Sequence, residues 1–192
     1  MDSRVSRNGA EPRGDLVIRP AEPADVDALL ALEQMVFETD RLERRSFQHA
    51  VRSPTISLLV AGMADRTAGY AMILRRRGSA TAHLGSIAVA PAATGMGVGK
   101  RLLAASESEA AAHGGARLRL EVREDNAAAR NLYEAMGYNR IDRIEEYYED
   151  GGAAWRYEKE LPAASGKGVS THRSRAVKSH RARSDRHRAT ER

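Results

Sequence analysis

Apolar residues in the first ninety positions follow two rhythms. Leu16, Val17 and Ile18 make a short apolar run after a polar stretch, which predicts a first strand. From Pro23 onward Val26, Leu29, Leu30, Leu32 and Val36 recur near helical spacing, and a proline suits the first turn of a helix. A second, shorter helix is expected after Ser46, whose hydroxyl can cap it ahead of Phe47, Ala50 and Val51. Ile56 to Ala61, Tyr70 to Leu74 and Leu84 to Val89 are β-rich runs, separated by Ala64-Asp65-Arg66-Thr67 and by Gly78-Ser79. These three runs predict a meander of antiparallel strands.

After Pro91 the pattern becomes an alternation of helix and strand. A glycine-rich loop leads into a helix from about Val98 to His113, ended by Gly114-Gly115. Leu118, Leu120 and Val122 then alternate with Arg119, Glu121 and Arg123, so one face of that strand is apolar and the other charged. Asn126 can cap a helix on which Ala129, Leu132, Tyr133 and Met136 share a face, with Gly137 at its end. Two last strands, near Tyr138–Ile144 and Trp155–Lys159, flank a turn at Tyr147-Tyr148-Glu149-Asp150-Gly151-Gly152. The expected order is βααβββαβαββ, without an internal repeat: one α/β domain with a mixed sheet, spanning residues 15–162.

Charge alters this picture at the ends. Of the 192 residues, 31 are Lys or Arg and 26 Asp or Glu, but nine of the basic and only two of the acidic groups fall in residues 164–192. The remainder is mildly acidic. Residues 163–192 hold few large apolar side chains and cannot offset the entropy of ordering, so a disordered basic tail is expected, as is a disordered leader over residues 1–14. Such a tail suits weak, sequence-independent contact with nucleic acid. Without any cysteine, disulfides, thiolate metal sites and a cysteine nucleophile are excluded. No apolar stretch approaches the roughly 18–20 residues of a membrane span. The polar start does not read as a secretory signal, which leaves the cytoplasm as the expected compartment and no membrane partner. Aromatics at 5% predict an aliphatic core.

Candidate chemistry begins at Thr94-Gly95-Met96-Gly97-Val98-Gly99-Lys100, between a strand and a helix. Alternating glycines let backbone N–H groups converge on an anion, and the helix N-terminus adds partial positive charge. This is not a Walker A loop, because Thr94 stands where a glycine is needed and Arg101 where Ser or Thr is. It is not a dinucleotide fingerprint either, since Lys100 occupies the third glycine position.

Ile87-Ala88-Val89-Ala90-Pro91 followed by this loop resembles the acetyl-CoA motif of the GNAT N-acetyltransferases, Q/R-x-x-G-x-G/A, with Thr94 in place of Gln or Arg. Asn126 to Tyr138 resembles the family's second CoA segment, N-x-x-A-x-x-L-Y-x-x-x-G-Y/F. With Leu120-Glu121-Val122-Arg123 before it and Tyr147-Tyr148 after it, the chain is similar to the bacterial ribosomal-protein-alanine N-acetyltransferases. The resemblance implies the GNAT fold and acetyl-CoA as co-substrate. By motif, Ile87, Ala88 and Val89 would pair with the pantetheine arm and supply an oxyanion donor. Thr94, Gly95, Met96, Gly97, Val98, Gly99 and Lys100 would lie at the pyrophosphate, and Asn126 would touch the cofactor. Glu121 would be the general base, Tyr133 the general acid, and Tyr147 and Tyr148 would contact the acceptor, a protein or peptide N-terminus.

The chemistry asks for such groups in its own right. Only an unprotonated amine attacks a thioester, and a carboxylate can remove the proton directly or through water. Bland readings stand beside these: Glu121 as a surface carboxylate paired with Arg119 and Arg123, Tyr133 as a core tyrosine, Asn126 as a cap alone, and the tyrosine pair as a cover for the sheet edge. A lysine side chain or a small amine is the rival acceptor, and a non-catalytic CoA-binding module with a nucleic-acid-binding tail the rival class. His49, His83 and His113 lack metal-ligand spacing and receive no role; no metal is expected.

Overall fold

The computed structural model describes residues 15–63 and 66–163; the expected leader and the basic segment lie outside the described residues. The strands are β1 (Val17–Pro20), β2 (Ile56–Met63), β3 (Arg66–Leu74), β4 (Thr81–Val89), β5 (Arg117–Arg123), β6 (Asn139–Ile144) and β7 (Ala154–Glu160). The helices are α1 (Val26–Val36), α2 (Arg44–Arg52), α3 (Val98–Ala112) and α4 (Ala127–Ala135). The strands form one mixed sheet in the order β1-β2-β3-β4-β5-β7-β6, in which only β4 and β5 run parallel.

Both faces of the sheet are covered, which explains the near-continuous apolar runs of its central strands. In β2, Leu58 and Val60 point toward α1 and α2, where they meet Leu29, Leu32 and Phe47. The alternate residues Leu59 and Ala61 point toward α3, among Leu102, Leu103 and Ile73. Leu118, Leu120 and Val122 of β5 extend this second layer, joined by Tyr133 and Tyr157.

Two sequence expectations change and one is qualified. The core is mainly aliphatic, but four of the six tyrosines are buried in it, and Tyr70, Tyr157 and Phe47 are among the largest fully buried side chains. Few aromatics were available, and most were placed inside. Helix α2 starts two residues before Ser46, which sits in its first turn with its N–H on the Glu43 carbonyl at 2.9 Å. Arg66 and Thr67, expected in a turn, pair with Met63 and Gly62 as the first residues of β3.

The feature that positions the site is a split in the sheet. β4 pairs with β5 over Thr81–His83 opposite Arg117–Arg119 and no further. On its other edge β4 slips register against β3: Ile73 faces Leu84 and Met72 faces Ser86, leaving Gly85 as an extra residue. This is a β-bulge, which bends its strand and re-aims the side chains beyond it. A Cβ on Gly85 would lie 2.2 Å from Leu74 Cδ1, so only glycine fits without moving that leucine. Past the bulge, β4 turns away from β5 and its edge over Ser86–Val89 faces a gap. Antiparallel pairing with β3 uses the polar groups on one edge of this stretch; those on the other edge point into the gap.

Candidate active site

Glu121 lies on the α1–α2 face of β5, beside the gap, with its side chain 5% exposed. Its Oε1 accepts from Arg156 Nε at 2.7 Å, and its buried Oε2 is 3.0 Å from Nε2 of His83. Arg119 and Arg123, its neighbours in sequence, are engaged elsewhere: Arg119 with Glu158 at 2.6 Å, Arg123 with Asp150 at 2.8 Å. Burial pushes the Glu121 pKa up, but hydrogen bonds and positive charge from His83 and Arg156 outweigh it and hold the carboxyl below its usual range. Glu121 is therefore ionised near neutral pH.

Tyr133 approaches from the other face, on α4, with its ring between those of Tyr138 and Tyr157 at 5.9 and 6.1 Å. Its hydroxyl makes no hydrogen bond to another of the described residues, and burial, then the nearby Tyr148, raise its pKa. The phenol keeps its proton and has that proton free to donate. Asn126 starts this helix, its Oδ1 accepting from Ala129 N–H at 3.0 Å.

The glycine loop lies at the end of β4 nearest the gap. Gly95 and Gly97 have φ of 78° and 79°, a conformation that side-chain-bearing residues rarely adopt. Gly97 is the N-cap position of α3, and the amides of Val98, Gly99 and Lys100 are its first-turn donors, without an acceptor among the described residues. An anion seated here would meet these donors and the positive end of a 15-residue helix. Gly99 has a further reason: a Cβ there would sit 3.3 Å from Leu132 and 3.6 Å from Val89, so its absence lets α3 pack on α4 and β4. The Thr94 hydroxyl donates to the Ala90 carbonyl at 3.4 Å.

Two loops form the rim. Asp40 in the α1–α2 loop adopts a φ of 52° and accepts from Glu149 N–H of the β6–β7 loop at 3.3 Å. Tyr147 and Tyr148 stand edge to face at 5.0 Å, and the Arg123 guanidinium lies 4.7 Å from the Tyr148 ring centroid. Burial and then the Glu121 charge raise the Tyr147 pKa; burial and then Tyr147 push Tyr148 up to about 12. Beneath the rim, Glu33 of α1 is 1% exposed. It accepts from Leu42 N–H of the α1–α2 loop at 2.8 Å and from the Tyr70 hydroxyl, which lies 2.8 Å from Ser86 Oγ next to the bulge. This chain of hydrogen bonds links the rim to β4.

The structure thus brings Glu121, Tyr147 and Tyr148 together on one side of the gap, with Tyr133 on the other side near Tyr148. The glycine loop borders the same gap. Sequence reading missed His83, Arg156, Asp40 and Glu33. Neither Arg156 nor His83 carried a local signal: only the β5–β7 register sets Arg156 opposite Glu121, and the bulge at Gly85 reverses the facing that plain alternation through β4 would give.

A splayed sheet, a glycine-opened helix at the mouth of the gap, and a carboxylate and a phenol on its two sides make an acyl-transfer architecture. The chain belongs to the Acetyltransferase (GNAT) family, whose pattern matches residues 25–138. It is 36% identical over 141 residues to an uncharacterized protein of Mycobacterium leprae, covering 72% of this chain and 38% of that one. With the N-alpha-acetyltransferase RimI of Mycobacterium tuberculosis it shares 35% identity over 133 residues, covering 68% of this chain and 82% of that protein. The crystal structure of the ribosomal-protein-S18-alanine N-acetyltransferase from Escherichia coli superposes with a TM-score of 0.69 at 26% identity, covering 81% of this chain and 99% of that one. The chain spans well under half the length of the M. leprae relative. No described helix is long and apolar enough to cross a membrane.

Proposed function

We propose that this chain acetylates the α-amino group of a protein or peptide N-terminus, with acetyl-CoA as donor. The observation that carries the reading is the placement of an ionised, buried Glu121 and a protonated Tyr133, whose hydroxyl bonds no other described residue, on the two sides of the splay of β4 and β5. The resemblance to N-alpha-acetyltransferases supports the choice of acceptor.

Acetyl-CoA supplies an acyl group already activated as a thioester. The amides of Val98, Gly99 and Lys100, with the glycines before them, would hold its pyrophosphate, and Asn126 would lie alongside. The free edge of Ile87–Val89 would take the pantetheine arm as an added strand partner, and an amide there would donate to the thioester carbonyl oxygen. The acceptor must enter as a free amine. Its α-amino pKa of about 8 lets a useful fraction lose its proton near neutral pH, far more than a lysine side chain at about 10.4. Glu121 would draw off the amine's proton through water, with His83 at its second oxygen as a relay. As the C–N bond forms and the C–S bond breaks, Tyr133 would donate its proton to the departing sulfur. Tyr147 and Tyr148 would flank the first residues of the peptide, in a mouth narrowed by the contact between Asp40 and Glu149.

The test is acetylation of a panel of peptides, lysine peptides and polyamines by the purified protein, with products located by tandem mass spectrometry. Modification at the α-amine of peptides with small first residues is expected, and Tyr148→Ala should raise their KM. Modification confined to internal lysines or small amines would overturn the choice of acceptor and leave acetyl transfer standing.

A further inference from the structure

At the end of the domain away from the glycine loop, the β3–β4 connection carries three consecutive arginines, Arg75, Arg76 and Arg77. They line a cleft of about 270 Å³ together with Thr55, Ser79 and His113. No Asp or Glu lines it. The three arginines are not equivalent. Arg75 serves the fold: it donates to Ser57 Oγ at 2.7 Å and to the Pro54 carbonyl at 3.0 Å, and lies 3.4 Å from Glu109. Arg76 and Arg77 are exposed, and neither makes an ion pair or side-chain hydrogen bond to another described residue. Folding does not use their charge.

A second observation points to the same place. The Ala116 N–H donates to the Ala80 carbonyl of this connection at 2.7 Å, and the Leu161 N–H, just past β7, donates to the Ala116 carbonyl at 2.8 Å. The chain therefore leaves the described domain beside the arginine cleft. Residues 164–192, which come next in sequence, hold nine Lys/Arg against two Asp/Glu. Glu109 reaches the edge of the cleft, beside Arg75 and 3.3 Å from His113, but not Arg76 or Arg77. The preceding 163 residues hold 22 basic and 24 acidic groups, so two adjacent arginines without a carboxylate partner among the described residues are not a reflection of a generally basic domain.

We propose that this end of the protein is a docking surface for the phosphate backbone of nucleic acid, with Arg76 and Arg77 as its contacts on the folded domain. Arginine matches phosphate oxygens through its planar fork of donors. The sequence that follows the end of the described domain is basic as well, which suits a partner whose charge repeats along its length. The 15 residues of α3 separate this end from the pyrophosphate loop by roughly 22 Å at 1.5 Å per residue, so a docked strand would leave the acyl-transfer gap open.

The experiment is fluorescence anisotropy of the full chain with a labelled single-stranded RNA and a DNA duplex, each titrated over a series of salt concentrations. Wild type, Arg76→Ala/Arg77→Ala, and the charge-matched control Arg45→Ala/Arg140→Ala are compared. The hairpin variant should flatten the slope of log affinity against log salt by about 1.4 for single strands and about 1.8 for duplex, while the control keeps the wild-type slope. Peptide acetylation should be the same in all three proteins. Absence of binding by the full chain, an equal change in both variants, an unaltered slope in the hairpin variant, or displacement by poly-glutamate as readily as by RNA would each overturn the proposal. A preference between the RNA and DNA arms names the physiological source.

Discussion

Nε of Arg156 stands 2.7 Å from Oε1 of Glu121, and the two residues are direct partners across the β5–β7 ladder. The carboxylate nearest the gap is thus clamped by a guanidinium from the next strand, with His83 on its other oxygen. A carboxylate so held is ionised near neutral pH.

Arg156→Met removes the cation and keeps most of the side-chain volume. Because the native carboxyl is held below its usual pKa, losing the clamp should raise it and move the Glu121 contribution to the acidic limb of the pH–rate profile upward. The profile of kcat/KM with a fixed peptide measures this. Glu121→Gln should leave only the part of the limb set by the peptide's own α-amine; a profile unchanged in both variants means that another group takes the proton.

Tyr133→Phe deletes a hydroxyl that bonds no other described residue and leaves the ring among Tyr138 and Tyr157. Thermal stability should therefore change little, while kcat falls by roughly 10²-fold if the phenol is the proton donor. Full turnover in a folded variant would leave Tyr133 with a packing role only.

Thr94 spends its hydroxyl on the Ala90 carbonyl and carries no charge. Thr94→Arg should lower the KM for acetyl-CoA, and the gain should shrink as ionic strength rises and screens the new cation. An unmoved KM would mean that the loop amides and Lys100 already supply the whole phosphate site.

Glu33 tests the buried link between rim and bulge. Burial raises its pKa against the opposing hydrogen bonds from Tyr70 and Leu42. A carboxyl with a raised native pKa favours folding when protonated, and its contribution declines as pH climbs from the unfolded value, about 4.3, through the native one. Glu33→Gln is neutral throughout and can still accept from Leu42 N–H. The melting temperature of the variant minus that of wild type should therefore increase with pH across that window. A difference independent of pH would show that Glu33 titrates alike in the folded and unfolded chain.

Much of the fold was legible because it depends on local rules. The alternation of Leu118, Leu120 and Val122 with Arg119, Glu121 and Arg123 set the facing of β5, and its buried and charged sides lie as that pattern requires. Asn126 caps α4, and Gly95 and Gly97 of the loop adopt a positive φ that favours glycine. Where tertiary pairing intervened, the reading slipped. Ser46 is a good cap by residue type, yet α2 begins earlier, at Arg44.

Sequence by itself determined the order of elements, the loop that opens α3, and the presence of a carboxylate and a tyrosine at family positions. Only the tertiary structure decided the company those groups keep. His83 reaches Glu121 because one extra residue, Gly85, reverses the side to which the first part of β4 points, and no periodicity in the sequence announces such a slip. Glu121 pairs with Arg156 and not with the arginines beside it, since residues adjacent on a strand need not share a partner while those opposite on the next strand meet directly. Nothing in the sequence singles out Glu33. Its burial follows from Tyr70 and the Leu42 amide, polar groups that arrive from distant parts of the chain and satisfy it. Local rules fix conformation residue by residue, whereas partners of buried charges are chosen by the packing of strands and loops far apart in sequence.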